Sequence, residues 1–187
     1  MTRRSLALAA VLLSLTLTGC GPEEPGAPLC DPQLEIMALF AQSVPSATEL
    51  PCVTQMPAGW SFADQTVQSG RATFWLDSAI AGYRAIQVSL QRRCDASGAV
   101  LVPSTAEDEL GLRRFERPEQ LSPLRLVRFY RFPGGCVIYR FTFSSGAPSD
   151  LTFQADEAVS FLPRERVVGA VADQGFELCG AGVACES

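Results

Sequence analysis

Arg125-Leu126-Val127-Arg128-Phe129-Tyr130-Arg131-Phe132, then Pro133-Gly134-Gly135, then Cys136-Val137-Ile138-Tyr139-Arg140-Phe141-Thr142-Phe143, reads as two β-strands joined by a tight turn. Both arms are rich in β-branched and aromatic residues, and the Pro-Gly-Gly between them breaks either strand. An L-proline followed by glycine suits type I or II turns, whose twist splays a two-residue hairpin. A three-residue loop with Gly135 in the left-handed conformation is therefore expected. That register pairs Phe132 with Cys136, Phe129 with Tyr139 and Val127 with Phe141. It gathers Val127, Phe129, Val137, Tyr139 and Phe141 on one apolar face, expected to be the core. On the other face, beside Tyr130, it sets Arg128 opposite Arg140. Directly opposed like charges in a sheet are unfavourable and require compensation. The compensation is a carboxylate from Glu116 or Glu119, plain solvation, or a bound anion gripped by two guanidinium forks. Arg128 and Arg140 are thus the candidate anion-binding residues.

Working outward, Ala72, Phe74 and Leu76 alternate with Arg71, Thr73 and Trp75, and Ile86, Val88 and Leu90 alternate with Gln87, Ser89 and Gln91. Both stretches read as half-buried antiparallel strands, and a period near two begins at Trp60. A further strand is expected near Leu112 to Arg117. Asp31-Pro32 is a helix-opening pair, followed by Leu34, Met37, Ala38, Ala41 and Val44 at helical spacing until Pro45. Ser46 to Glu49 has capping-box spacing and is expected to make a short turn before Pro51. After Pro148, Leu151, Ala155, Ala158, Val159 and Leu162 predict a helix ending at Pro163. Pro163 in turn opens another helix, which Gly175 stops. The expected architecture is α+β: an antiparallel sheet with helices from both chain ends packed on one face, stapled by disulfides.

At the N-terminus Arg3 and Arg4 precede a twelve-residue run, Leu6 to Leu17, broken only by Ser14 and Thr16. It has a signal-peptide layout and falls short of the roughly 20 apolar residues a membrane-crossing helix needs. The run ends in Leu17-Thr18-Gly19-Cys20, which resembles the lipobox of bacterial lipoproteins. The resemblance implies cleavage after residue 19, diacylglycerol on the Cys20 thiol and further acylation of the new amino terminus. More than one chain matters, because a single acyl chain binds membranes only marginally. The expected organisation is a signal peptide at 1–19, a lipidated cysteine and Pro/Gly/Glu tether at 20–29, and one extracytoplasmic domain at 30–187. The domain itself, on Pro57-Ala58-Gly59-Trp60, Phe74-Trp75-Leu76-Asp77-Ser78 and Phe132-Pro133-Gly134-Gly135-Cys136, is similar to uncharacterised lipoproteins of high-GC Gram-positive bacteria. That similarity implies no particular activity.

Six cysteines remain beside Cys20. An even number in an exported chain reads as three disulfides. Fifteen pairings are possible; order along the chain favours Cys30 with Cys52, Cys94 with Cys136, and Cys179 with Cys185. Metal binding is the competing use, but there is no Cys-x-x-Cys and no His.

All fifteen basic residues are arginine, and the chain has no Lys, His or Asn. Ser-His-Asp, Cys-His and Ser-Lys catalysis, Schiff-base chemistry and a phosphate-binding Gly-Lys-Ser/Thr loop are thereby excluded, and nothing calls for a cofactor or a metal. From residue 20 onward thirteen basic face twenty acidic residues, a formal balance of −7, which argues against nucleic acid as a partner. Carboxylates can act alone, as in glycosidases, but Glu107-Asp108-Glu109, the densest acidic run, reads as a solvated loop. Asp77-Ser78 reads as a turn motif at a strand end, and Trp60 and Trp75 as core rather than as a sugar-stacking platform. The expected function is a membrane-anchored extracytoplasmic lipoprotein that binds a small ligand or an envelope protein without catalysis. The alternative is a carboxylate-based hydrolase of cell-wall glycan.

Overall fold

A computed structural model describes residues 26–33, 35–103 and 111–178. Cys20, Cys179, Cys185 and the acidic run Glu107-Asp108-Glu109 lie outside the described residues. Helix α1 (Glu35–Ser43) is followed by strands β1 (Glu49–Val53), β2 (Trp60–Gln68), β3 (Arg71–Ser78), β4 (Gly82–Gln91), β5 (Val100–Leu101), β6 (Arg113–Leu121), β7 (Leu124–Phe132) and β8 (Gly135–Thr142). Helix α2 (Leu151–Ala158), strand β9 (Val159–Pro163) and helix α3 (Arg164–Asp173) complete the order. Seven strands form one antiparallel sheet in the order β2-β3-β4-β8-β7-β6-β5, and β1 pairs with β9 in a second, two-stranded sheet.

The alternating segments become β3 and β4 because every second side chain is apolar. Ala72, Phe74, Leu76, Ile86, Val88 and Leu90 are all fully buried. Their register carries the same face onward to Val137, Tyr139 and Phe141 of β8. These residues share one cluster with Met37, Phe40 and Ala41 of α1, Leu151 and Ala155 of α2, and Val167 of α3. Burying each large side chain of this kind contributes about 1.5–3 kcal/mol. Asp31-Pro32, expected to open the helix, makes a turn ahead of it instead: Asp31 Oδ1 accepts the Gln33 amide at 2.9 Å, and α1 begins at Glu35. At its far end the buried Arg164 guanidinium donates to the Ala41 carbonyl, placing a cation at a helix C-terminus, where the helix dipole favours it.

Three further expectations about the ends of elements are corrected. Glu49–Val53 is a strand rather than the continuation of a turn at Ser46 to Glu49. The helix expected through Leu162 stops at Ala158, where the Val159 amide makes a last bond to the Ala155 carbonyl and its own backbone turns extended. Each change explains the other, because the buried backbone of β1 needs partners, and Val159–Pro163 supplies them from Glu49↔Pro163 to Val53↔Val159. Pro28 and Leu29, expected to be tether, are docked on this sheet. Val53 donates its amide to the Pro28 carbonyl at 2.7 Å, and Leu29 forms a parallel bridge to Val53.

The β7–β8 register is the correction with most consequence. The loop has two residues, not three: Phe132 pairs with Gly135, Arg131 with Cys136, Tyr130 with Val137 and Arg128 with Tyr139. Pro133 followed by Gly134 at φ +73° occupies the central positions of a type II turn. Residues 46–48 clamp this turn: Ser46 Oγ donates to the Gly134 carbonyl at 2.6 Å and Thr48 Oγ1 to the Pro133 carbonyl at 3.1 Å. Those bonds, with β4 and β6 flanking the hairpin, offset the splay that a free hairpin would suffer. A one-residue slip exchanges faces, so Val127 and Phe129 leave the main core. They pack with Cys136 and Ile138 on the opposite face, under Cys94, Ala96 and Ala99 of the crossover from β4 to β5.

Gly134→Ala tests the clamp. A Cβ there would stand 1.7 Å from the Ser46 carbonyl oxygen, whereas at Gly70, also at positive φ, it would meet nothing within 4 Å. Backbone strain alone costs about 1–3 kcal/mol, so urea unfolding is expected to show Gly134→Ala more destabilised than Gly70→Ala. Equal losses would mean that the turn is not clamped.

Candidate functional site

Because β7 is shifted by one residue, Arg128 and Arg140 do not face each other. Arg128 points into the main core and is 2% exposed; Arg140 pairs with Val127 on the opposite face and is exposed. The expected anion grip by this pair is therefore not assembled. Arg128 is compensated from within the protein. Glu116, directly across from it on β6, accepts from Nε at 2.7 Å, and Asp156 of α2 accepts from Nη1. Tyr130 donates its hydroxyl to Asp156 at 3.3 Å, and Arg114 Nε donates to Glu116 at 3.1 Å. The Arg128 guanidinium also lies 5.1 Å from the Phe141 ring centroid, a cation–π contact that further holds it.

The electrostatics follow from this geometry. Burial draws the Glu116 carboxyl upward, but the bond from Arg114 and the charges of Arg128 and Arg114 outweigh it, leaving Glu116 below its ordinary value. Burial would push the Arg128 guanidinium down; Tyr130, Asp156 and Glu116 reverse this and hold it cationic. Burial raises the Tyr130 hydroxyl, so it stays a proton donor to Asp156. The cluster is thus two guanidiniums and two carboxylates in mutual satisfaction. Glu116, held below its ordinary value, is not the raised carboxylic acid that general-acid chemistry at a glycosidic bond requires. Of the cluster's members, Glu116 was one of the expected compensating carboxylates. Asp156 was not legible, since it arrives from a helix 28 residues away.

No known protein family, curated protein or solved structure matches the chain. The site must be judged on its own chemistry.

Asp77 and Ser78 fall in a turn and Trp60 in the core, as expected, whereas Trp75, expected to be core, is half-buried on the face opposite Phe74 and Leu76. Ser78 Oγ accepts the amides of Ile80 and Ala81, and Asp77 Oδ1 accepts the Arg84 amide at 2.6 Å. Trp60 is buried, with its indole N–H on Gln154 Oε1 at 2.7 Å. Trp75 is half-buried, and the Arg84 guanidinium stacks 4.6 Å above its ring. Cys30 is joined to Cys52 and Cys94 to Cys136, with Cα atoms 4.9 and 6.0 Å apart. The third expected pair, Cys179 and Cys185, lies outside the described residues.

A further concavity lies elsewhere, at the tip of the β7–β8 hairpin. It measures about 460 Å³ and is lined by Arg92, Arg93, Arg131, Ser46, the Cys94–Cys136 bridge and the Phe132–Gly135 turn. A shallower depression of about 280 Å³ shares Arg131 and adds Arg113 and Phe115. Sequence reasoning missed these arginines. The signal was the Arg92-Arg93 pair beside Cys94, but only the true register brings Arg131 to it, with Arg113 directly across β6 in the neighbouring depression.

Proposed function

We propose that this chain is a bacterial lipoprotein, held by lipid on Cys20 at the extracytoplasmic face of the membrane, whose domain binds a ligand or an envelope partner without catalysis. The observation that carries this reading is cysteine usage. Two disulfides consume Cys30, Cys52, Cys94 and Cys136, a pattern suited to an oxidising compartment. Cys179 and Cys185 are close enough in sequence to form a third bridge, which leaves Cys20 alone, immediately after Leu17-Thr18-Gly19 and the apolar run. The same reading places helices from both chain ends over one face of the large sheet. Support comes from the cluster shared by Met37, Val167, Phe74 and Tyr139. Glycan hydrolysis finds no support at Glu116 and Asp156, whose charges are already matched by arginine.

Cys20→Ser is expected to abolish incorporation of a fatty-acid label in the native host while leaving a folded domain. Label retained on the variant would refute the lipoprotein reading.

A further inference from the structure

We infer that the hairpin-tip concavity is a binding site for a soluble, multivalent oxyanion of the phosphate class. The inference deepens the reading of the domain as a binding module and rests on it only for its setting. One cross-strand row on the outer face of the large sheet runs Arg71, Gln91, Cys136, Arg131, Arg113, each directly opposite the next. Three of its five residues are arginine in a chain whose formal net charge is −5. Arg113 and Arg131 are directly opposed, an arrangement that costs free energy unless something anionic lies between or above them. Among the described residues no carboxylate forms an ion pair with Arg92, Arg93, Arg113 or Arg131. The contrast with Arg128, whose charge is met by two carboxylates, is what separates a binding patch from a structural pair.

The guanidiniums are also pre-positioned. Arg113 and Arg131 lie 6.0 and 5.9 Å from the Phe115 ring centroid, one aromatic ring serving both. Arg92 and Arg93 immediately precede Cys94, which is bridged to Cys136 of this row, and both line the concavity with Arg131. Planar guanidinium forks match phosphate oxygens in bidentate fashion, and the cavity of about 460 Å³ has room for more than one phosphate group. A singly charged ion would leave most of this positive charge unmatched, so the expected ligand carries at least two negative charges.

Isothermal titration of the purified protein with pyrophosphate at low ionic strength is expected to give saturable, salt-sensitive binding. Arg131→Gln, and the double variant Arg92→Gln with Arg93→Gln, should each weaken it about tenfold or more, the loss of a charge-assisted hydrogen bond. Their melting in the absence of ligand should be close to that of the parent. Arg140→Gln, on the same face but four residues further along β8 from Cys136, should bind as the parent does. Absence of saturable binding, an equal loss in Arg140→Gln, or no loss in Arg131→Gln would overturn the proposal. Retention on phosphatidylglycerol vesicles without any response to pyrophosphate would overturn its assignment to a soluble ligand. Pyrophosphate binding that survives Cys20→Ser separates this site from the lipid anchor, so either reading can fail without the other.

Discussion

Arg128→Ala lowers the unfolding free energy by about 3–5 kcal/mol, the cost of leaving buried charges without their partner. Glu116 and Asp156 would then face each other across the space that the guanidinium fills, without the cation that bridges them. Arg128→Lys, which keeps the charge but not the two-sided fork, is expected to fall between alanine and the parent. Acid should reproduce part of the loss. In the folded protein burial raises the Glu116 carboxyl, but the bond from Arg114 and the two arginine charges bring it below its ordinary value. Its contribution is therefore complete above the unfolded value of about 4.3. It disappears as pH falls through the lower folded value. Urea midpoints measured from pH 7 down to pH 3 should drop more steeply for the parent than for Glu116→Gln. An Arg128→Ala variant as stable as the parent would show that the cluster is solvated rather than buried.

Loss of the disulfides has an effect of similar size. The bridges span 22 and 42 residues in sequence, for which loop-closure entropy predicts about 3–4 kcal/mol each. Cys30→Ser with Cys52→Ser frees the N-terminal chain from β1. Cys94→Ser with Cys136→Ser frees the β4–β5 crossover, and with it the cover over Val127, Phe129 and Ile138. The second double variant should therefore also bind hydrophobic dye, while the first should not. Alkylation under denaturing, non-reducing conditions, read by mass, should label none of these four cysteines in the parent. Labelling of the four, or a melting temperature unmoved by reductant, would remove the bridges from the account of stability.

Local pattern determined some of the strands of this chain and the position of its hairpin turn. Alternation at Ala72, Phe74, Leu76 and at Ile86, Val88, Leu90 is a two-residue period that only a half-buried strand satisfies, and both stretches are strands. Pro133-Gly134-Gly135 determined that a turn stands there, because neither proline nor glycine continues a central strand. The order of the cysteines pointed to Cys30 with Cys52 and Cys94 with Cys136, since neighbours in sequence close the shortest loops.

Face and partner were decided by tertiary structure. From Leu126 to Phe132 nearly every residue has an apolar or amphipathic body, so parity along β7 carries no signal of which side is inside. The two-residue loop was selected by Ser46 and Thr48, some 85 residues away in sequence, which no local turn preference can express. That single choice put Arg128 among Glu116, Asp156 and Tyr130 and left Arg131 outside with Arg113, Arg92 and Arg93. Likewise Val159 to Leu162 has spacing that serves a helix as well as a strand, and the unpaired backbone of Glu49–Val53 decided between them. Hydrogen-bond demand and charge compensation act across distant segments, and a sequence states the groups that need partners without stating which partners will reach them.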